Sequence, residues 1–538
     1  MASRSSRPTA LLVSVLMLTA LLGTAQSGWA GTSGPYSRTD SGYVHGKTVS
    51  GVEQFLGVPF AAPPVGRLRW RPPAAVSSWT GVREATRPGP QCAQTYGLPL
   101  TTNTNEDCLY LNVYVPSGGA ASKPVMVWIH GGAYAFGAGD QYDPTELAKA
   151  GDVVVVTINY RLGPFGFLAH PALSAEAADH SSGDYGLMDQ QAALRWVQRN
   201  APAFGGDPRS VTIFGESAGA GSVCAQVASP WTAGMFARAI AESGCTLPSP
   251  ALPDAERHGV EFATALGCGG GDVGVAACLR SRSAAALLAS SGINVTKPDL
   301  DWAPAVGGSI LPRPVQVAFE QGDYQRVPVL AGTNHDEGTF FVAAQYLLGL
   351  GVASWNYDQL IARTYGSRFV ARVLARYPLT DYPGAAQALA AVITDSMFAC
   401  PAYAFGRALA KTTSTYVYEF DDPAAAMAIP LPTTFPTRAA HTSELAYVFG
   451  RTVALKLTPL FSPAQYALSR TMMGYWTSFA RSGTPNTAGA AWWAPVTEGQ
   501  YVVQHLRPDS VGPRMWSGAD HNCGFWQELV DDGLIPAL

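Results

Sequence analysis

The 538-residue chain is short of charge: Asp, Glu, Lys and Arg make up 14% of it, where globular proteins average about 25%. Only 6 of its 35 basic residues are lysines, and no dense basic run occurs anywhere. With a formal net charge of −4, nucleic acid is excluded as a partner class, and so is a basic helix lying on a membrane. The eight cysteines include no Cys-x-x-Cys pair, and the nine histidines show no His-x-x-x-His spacing. Neither a zinc site nor a thioredoxin-like redox site is therefore indicated, and no metal or cofactor is expected. Beyond residue 30 no segment reads as apolar for long enough to span a bilayer. What the chain does have is apolar bulk. At 47% hydrophobic and 10% aromatic residues, it is too rich in core-forming side chains to be an extended disordered polymer.

The first feature present is a leader. Arg4 and Arg7 precede an apolar run from Ala10 to Leu22, which ends in small residues around Gly28 and Ala30. This pattern predicts a secretory signal peptide over residues 1–30, an uncleaved anchor being the alternative. The run falls short of the roughly twenty residues of a membrane span, so stable membrane insertion is not expected. Loss of Arg4 and Arg7 takes the charge from −4 to −6. An exported chain, residues 31–538, is the expectation, and in an oxidising compartment its cysteines pair.

Val125 to Ile129 and Val153 to Ile158 are continuous apolar runs bounded by Gly, Pro or Asp, the pattern of strands buried on both faces. Val211 to Phe214, Arg238 to Ala241, Val327 to Leu330 and Thr415 to Tyr418 read as further strands, and Leu187 to Val197 carries helical spacing. Strands alternating with helices predict an α/β fold, a mainly parallel sheet covered on both faces. Short segments between Val44 and Phe55 predict an antiparallel hairpin leading into it. No repeat and no linker long enough to part domains is present.

Gly215-Glu216-Ser217-Ala218-Gly219 fits Gly-x-Ser-x-Gly, a tight strand-to-helix turn that projects a serine above a sheet. An apolar strand stands directly before it, and a helix-compatible run, Ala218 to Ala228, directly after. A serine nucleophile needs a base, the base an orienting carboxylate, and the oxyanion fixed N–H donors. His130-Gly131-Gly132-Ala133-Tyr134 follows the strand that ends at Ile129, where side-chain-free backbone turns N–H groups toward a carbonyl oxygen.

Several segments together resemble the type-B carboxylesterase and cholinesterase-like family of α/β-hydrolases. Phe204-Gly-Gly-Asp-Pro-Arg-Ser-Val-Thr-Ile-Phe-Gly-Glu-Ser-Ala-Gly219 is similar to its serine signature and Glu106-Asp-Cys-Leu-Tyr-Leu-Asn112 to its second signature. Asn159-Tyr-Arg-Leu-Gly163 and Gly186-Leu-Met-Asp-Gln-Gln-Ala-Ala-Leu-Arg-Trp196 resemble two further family segments. The likeness runs from about Gly51 to Trp526 and implies one large α/β-hydrolase domain. It assigns the acid to Glu337 within Gly332-Thr-Asn-His-Asp-Glu337-Gly338, with Asp336 as close competitor, and the base to His441 within His441-Thr-Ser-Glu-Leu-Ala-Tyr-Val-Phe449. The order Ser217, Glu337, His441 is that of α/β-hydrolases. The implied oxyanion donors are the N–H groups of Gly131, Gly132 and Ala218. His130, His335 and His521 are structural by default, while Glu216 and Ser243 read as supporting groups beside the nucleophile.

The resemblance also pairs Cys92 with Cys108, Cys268 with Cys278, and Cys400 with Cys523. It leaves Cys224 and Cys245 over, as buried free thiols or a fourth bridge. Arg69 and Glu106 match a family ion pair, with a solvated surface pair as the alternative. The loop from Cys92 to Cys108 is short and holds Tyr96 as its sole aromatic, so it offers neither the tryptophan of a choline site nor a long apolar lid. The resemblance thus implies a secreted serine carboxylesterase with a small-molecule ester substrate. The alternatives are a lipase or sterol esterase of the same family, a thioesterase or amidase, and a non-catalytic binding domain.

Overall fold

The computed structural model describes residues 34–96, 101–118, 122–245, 249–269, 274–292, 302–347, 349–429, 431, 433–450, 461–497, 499–516 and 518–533. The expected signal peptide lies outside the described residues.

An 11-stranded sheet organises the molecule. Its strands in chain order are β1 (Lys47–Val49), β2 (Val52–Pro59), β3 (Tyr110–Pro116), β4 (Lys123–Ile129), β5 (Val154–Ile158), β6 (Gly206–Glu216), β7 (Arg238–Glu242), β8 (Val329–Asn334), β9 (Thr415–Phe420), β10 (Val502–Leu506) and β11 (Gly512–Met515). In space they run β1-β2-β3-β5-β4-β6-β7-β8-β9-β10-β11. From β5 to β10 every neighbouring pair is parallel, and the pairs at both ends are antiparallel. The single inversion, β5 outside β4, comes from the crossover that carries the chain back to the sheet centre.

The continuous apolar runs have a two-sided cause. Val125, Val127 and Ile129 of β4 point into one core, and Met126 and Trp128 into the other. The first core is closed by helices α1 (Tyr185–Asn200) and α2 (Ala218–Ala228), the second by α7 (Leu445–Phe449) and α8 (Pro463–Ser482). A third core joins α3 (Gly338–Leu347), α4 (Tyr357–Tyr365) and α5 (Ala385–Ile393) to α9 (Cys523–Asp531). It builds a roof beyond the carboxyl ends of β8 and β9.

Two expectations are corrected, and the expected Arg69–Glu106 ion pair is present. Of the Val44 to Phe55 region, only β1 and β2 form the hairpin in the main sheet; Tyr43–His45 pairs instead with Tyr36–Arg38 and Val82–Glu84 in a separate 3-stranded sheet. One run, Ala385–Ala410, is long and apolar enough to cross a membrane, and its most apolar window is 72% buried inside the molecule. It packs as a core element, continuing α5 through a π-helical stretch (Thr394–Ala399) into α6 (Cys400–Ala410). Arg69 and Glu106 are not a solvated surface pair. Their side chains are only 8% and 12% exposed, Arg69 Nε donates to Glu106 Oε2 at 2.6 Å, and its Nη1 donates to the Arg282 carbonyl at 2.7 Å.

All eight cysteines are joined. Cys92–Cys108, Cys268–Cys278 and Cys400–Cys523 pair as expected, and Cys224–Cys245 forms the fourth bridge, which settles the alternative left open for these two.

Candidate active site

Ser217 sits where β6 ends and α2 begins, at φ 56° and ψ −126°. No β-carbon-bearing residue adopts that backbone without strain, and the neighbours must leave it room. Gly219 does so: a Cβ there would run into the carbonyl oxygen of Ile129, at the end of the adjacent strand. The Ser217 N–H donates to the Glu242 carbonyl at 2.9 Å, so the turn is pinned to β7. Ala218 opens α2, and its N–H lies at the helix start, where no intrahelical acceptor exists.

The glycine turn after β4 lies beside it. Gly131 packs on the Glu216 carbonyl and the Ser217 side chain, and Gly132 has φ 107°, a conformation that L residues avoid. The Gly132 carbonyl accepts from the N–H groups of Ala135 and Phe136 at 2.9 and 3.0 Å, which closes the turn. His130 supports it from below. Its ring is fully buried and stacked on Tyr160, and its Nδ1 contacts the Gly131 carbonyl at 2.8 Å. Burial lowers its pKa to about 4, so the imidazole is neutral.

Glu337 comes from the turn between β8 and α3, and His441 from the loop that leads into α7. The Glu337 side chain turns back under α3, where Oε1 accepts from the Thr333 hydroxyl at 2.9 Å and the Asn334 N–H at 2.7 Å. Its Oε2 lies 2.6 Å from His441 Nδ1. Asp336 is turned away, toward His335 at 3.2 Å, which decides against it as partner of His441. The rings of Phe340, Phe341 and Phe398 surround His441 at centroid distances of 5.7, 5.1 and 5.0 Å.

The other His441 nitrogen, Nε2, lies 3.1 Å from Glu216 Oε1, off the line of an N–H hydrogen bond. No hydrogen bond joins Ser217 Oγ to His441 in this structure, although both line the same cavity of about 680 Å³ with Gly131, Gly132 and Glu216. Burial, with the charges of Glu337 and Glu242 nearby, raises the Glu216 pKa well above the usual carboxylate range. Ser243, the other expected supporting group, is buried just behind the nucleophile with its hydroxyl unpartnered. His521 is structural as expected, held between Asp395 and Glu419 at 2.8 Å each.

Sequence reasoning missed the aromatic and aliphatic wall contributed by α3, α4 and the π-helical stretch. These residues carry no motif, and only their one-faced spacing on α3 and α4 could have signalled it. Among the described residues the cavity wall is chiefly apolar. Chemically the arrangement offers a serine on a strained turn, an imidazole oriented by a buried carboxylate, and backbone N–H groups at a glycine turn, the parts required for acyl transfer.

The comparisons with known proteins agree with this chemistry. A family model described as "Carboxylesterase family" matches residues 33–526. The chain is 35% identical over 537 residues to an acylcarnitine hydrolase of Mus musculus, covering 92% of this chain and 91% of that protein. It is 35% identical over 469 residues to a para-nitrobenzyl esterase of Bacillus subtilis (strain 168), covering 84% and 91%. A solved structure titled as a thermophilic PNB esterase superposes with a TM-score of 0.79 at 33% identity, covering 92% of this chain and all of the other.

Proposed function

We propose that this chain, which belongs to the carboxylesterase family and is a carboxylic ester hydrolase with the α/β-hydrolase fold, hydrolyses its substrates through a Ser217–His441–Glu337 triad. The observation that carries this reading is the 2.6 Å contact between His441 Nδ1 and Glu337 Oε2, within the cavity that also holds Ser217. Glu337 fixes the tautomer in which Nδ1 carries the proton and Nε2 is free to accept. Ser217 Oγ attacks the ester carbonyl carbon while Nε2 takes its proton, and the N–H groups of Gly131, Gly132 and Ala218 hold the oxyanion. His441 then protonates the departing alcohol, and a water activated by His441 hydrolyses the acyl-enzyme. Residues 31–538 act as one exported catalytic unit after removal of residues 1–30, a reading supported by the leader pattern and by four disulfides.

The experiment is hydrolysis of a short-to-long series of p-nitrophenyl esters by the protein beside its Ser217→Ala variant. Turnover should fall by about 10⁴–10⁶ in the variant. Equal activity of the two proteins would overturn the assignment of Ser217. A lipase is the second reading, favoured by Trp355 and Leu350, which stand exposed at the cavity mouth. A maximum on long, emulsified chains would put that reading first.

A further inference from the structure

The cavity changes character along its length. Beside Ser217 and His441 its wall is aromatic and aliphatic, with Phe340, Phe341 and Phe398 around the imidazole. Farther out the wall mixes apolar side chains, Leu350, Trp355 and Leu360 among them, with the polar Gln345 and Arg363. Phe341 and Gln345 share one face of α3 at i and i+4, which sets Gln345 about 6 Å farther along the helix axis. Across from them, Leu360, Arg363 and Thr364 present one face of α4 to the same cavity.

The side chains of two of these outer residues make no ion pair or hydrogen bond among the described residues: Arg363, which is exposed to solvent, and Gln345, which is buried. Arg363 is the only Lys or Arg among the lining residues, and no ion pair or hydrogen bond occupies its guanidinium among the described residues. Gln345 is only 8% exposed, yet its side-chain oxygen is buried with no hydrogen-bond partner. Buried amides are almost always satisfied, so an unsatisfied one in a cavity wall points to a partner that arrives with the ligand. A half-turn of the terminal torsion exchanges its acceptor for its NH₂ donor. Glu216 is the only Asp or Glu among the lining residues, and its carboxyl lies beside His441 at the Ser217 end of the cavity, where no ion pair joins it to Arg363.

We propose that the cavity selects esters carrying a second, free carboxylate, separated from the scissile carbonyl by an apolar body that crosses the aromatic section, with Arg363 and the Gln345 amide receiving that carboxylate. This rests on the esterase reading and adds the substrate class. A planar guanidinium fits a carboxylate with two parallel hydrogen bonds, a match that a neutral chain end of equal length cannot make. Arg363 and Gln345 are specificity residues in this scheme and take no part in bond making.

The test compares mono-p-nitrophenyl adipate, suberate and sebacate with p-nitrophenyl hexanoate, octanoate and decanoate, and p-carboxybenzyl with p-methylbenzyl acetate for a carboxylate on the alcohol side. The quantity read is the ratio of kcat/KM for the anionic member to that for the neutral member of each pair. In Arg363→Gln this ratio should fall about fivefold for at least one pair, and further in Arg363→Glu. In the unmodified protein it should fall as ionic strength rises. A ratio that is the same in all three proteins overturns the proposal while leaving esterase activity intact. Loss of neutral-ester hydrolysis in Ser217→Ala reports on the esterase reading separately. Should no ester be cleaved, calorimetric binding of suberate against octanoate to the unmodified protein and to Arg363→Gln decides the matter: weaker suberate binding in the variant alone supports the carboxylate site, and unchanged binding overturns it.

Discussion

Glu337 spends its two oxygens on different tasks. Oε1 takes the Asn334 N–H and the Thr333 hydroxyl, and Oε2 is left for His441 Nδ1. In Glu337→Gln the amide oxygen keeps the two local donors, which forces the NH₂ toward Nδ1. The imidazole then carries its proton on Nε2 and cannot accept one from Ser217. Turnover is expected to drop by about 10⁴ with the fold unchanged, as in other triads given the wrong tautomer. Asp336→Asn, one residue away, should leave kcat within a few-fold, because its carboxylate faces His335. Steady-state kinetics on one p-nitrophenyl ester checks both; similar losses in the two variants would remove Glu337 from the role. Gly132→Ala makes an independent test of the oxyanion turn. The new methyl would meet the Phe136 carbonyl at a φ of 107°, so the turn must shift, and loss of one donor costs about 10²–10³ in kcat.

At the scale of elements, the sheet was legible because its central strands are buried on both faces, so β4, β5 and the end of β6 show as unbroken apolar runs. Helix α2 was legible from its Gly-x-Ser-x-Gly start, and it spans Ala218–Ala228 as expected. The roof was not legible. α5 and the stretch after it are Ala-rich and buried, with no polar face to mark a helical period. Two of the family-like segments acquire a cause only in three dimensions. Arg161 Nε and Nη2 donate to Asp189 at 2.7 and 2.8 Å, both side chains being fully buried, and the Arg161 N–H donates to the same carboxylate. The pair ties the loop after β5 to the first turns of α1. Asp189→Asn removes the countercharge but leaves the guanidinium buried, so chemical denaturation should show a loss of about 3–5 kcal/mol. A loss below about 1 kcal/mol would mean that the pair is solvated in solution.

On the scale of the whole molecule, the roof is held to the sheet by long-range links, and this is where sequence spacing carried least information. The disulfide Cys400–Cys523 spans 123 residues. Beside it His521 lies between Asp395 of the π-helical stretch and Glu419 of β9, each 2.8 Å from one ring nitrogen. Carboxylates only accept, so both ring nitrogens must donate and the ring is an imidazolium. Burial alone would lower its pKa, but the two hydrogen bonds and charges outweigh that and raise it to about 10. A proton bound more tightly in the folded state stabilises the fold fully below the unfolded histidine pKa of about 6.5. The same stabilisation is lost as pH rises toward 10, because over that range the unfolded state has released the proton that the folded state still holds. Urea unfolding from pH 6 to pH 10 should therefore show the protein losing a few kcal/mol, about 1.4 per unit of pKa difference. His521→Gln should be less stable at pH 6 and show little of that decline, so the two curves converge at high pH. A gap between the curves that stays constant across this range would mean that His521 holds the roof by shape alone, without its charge.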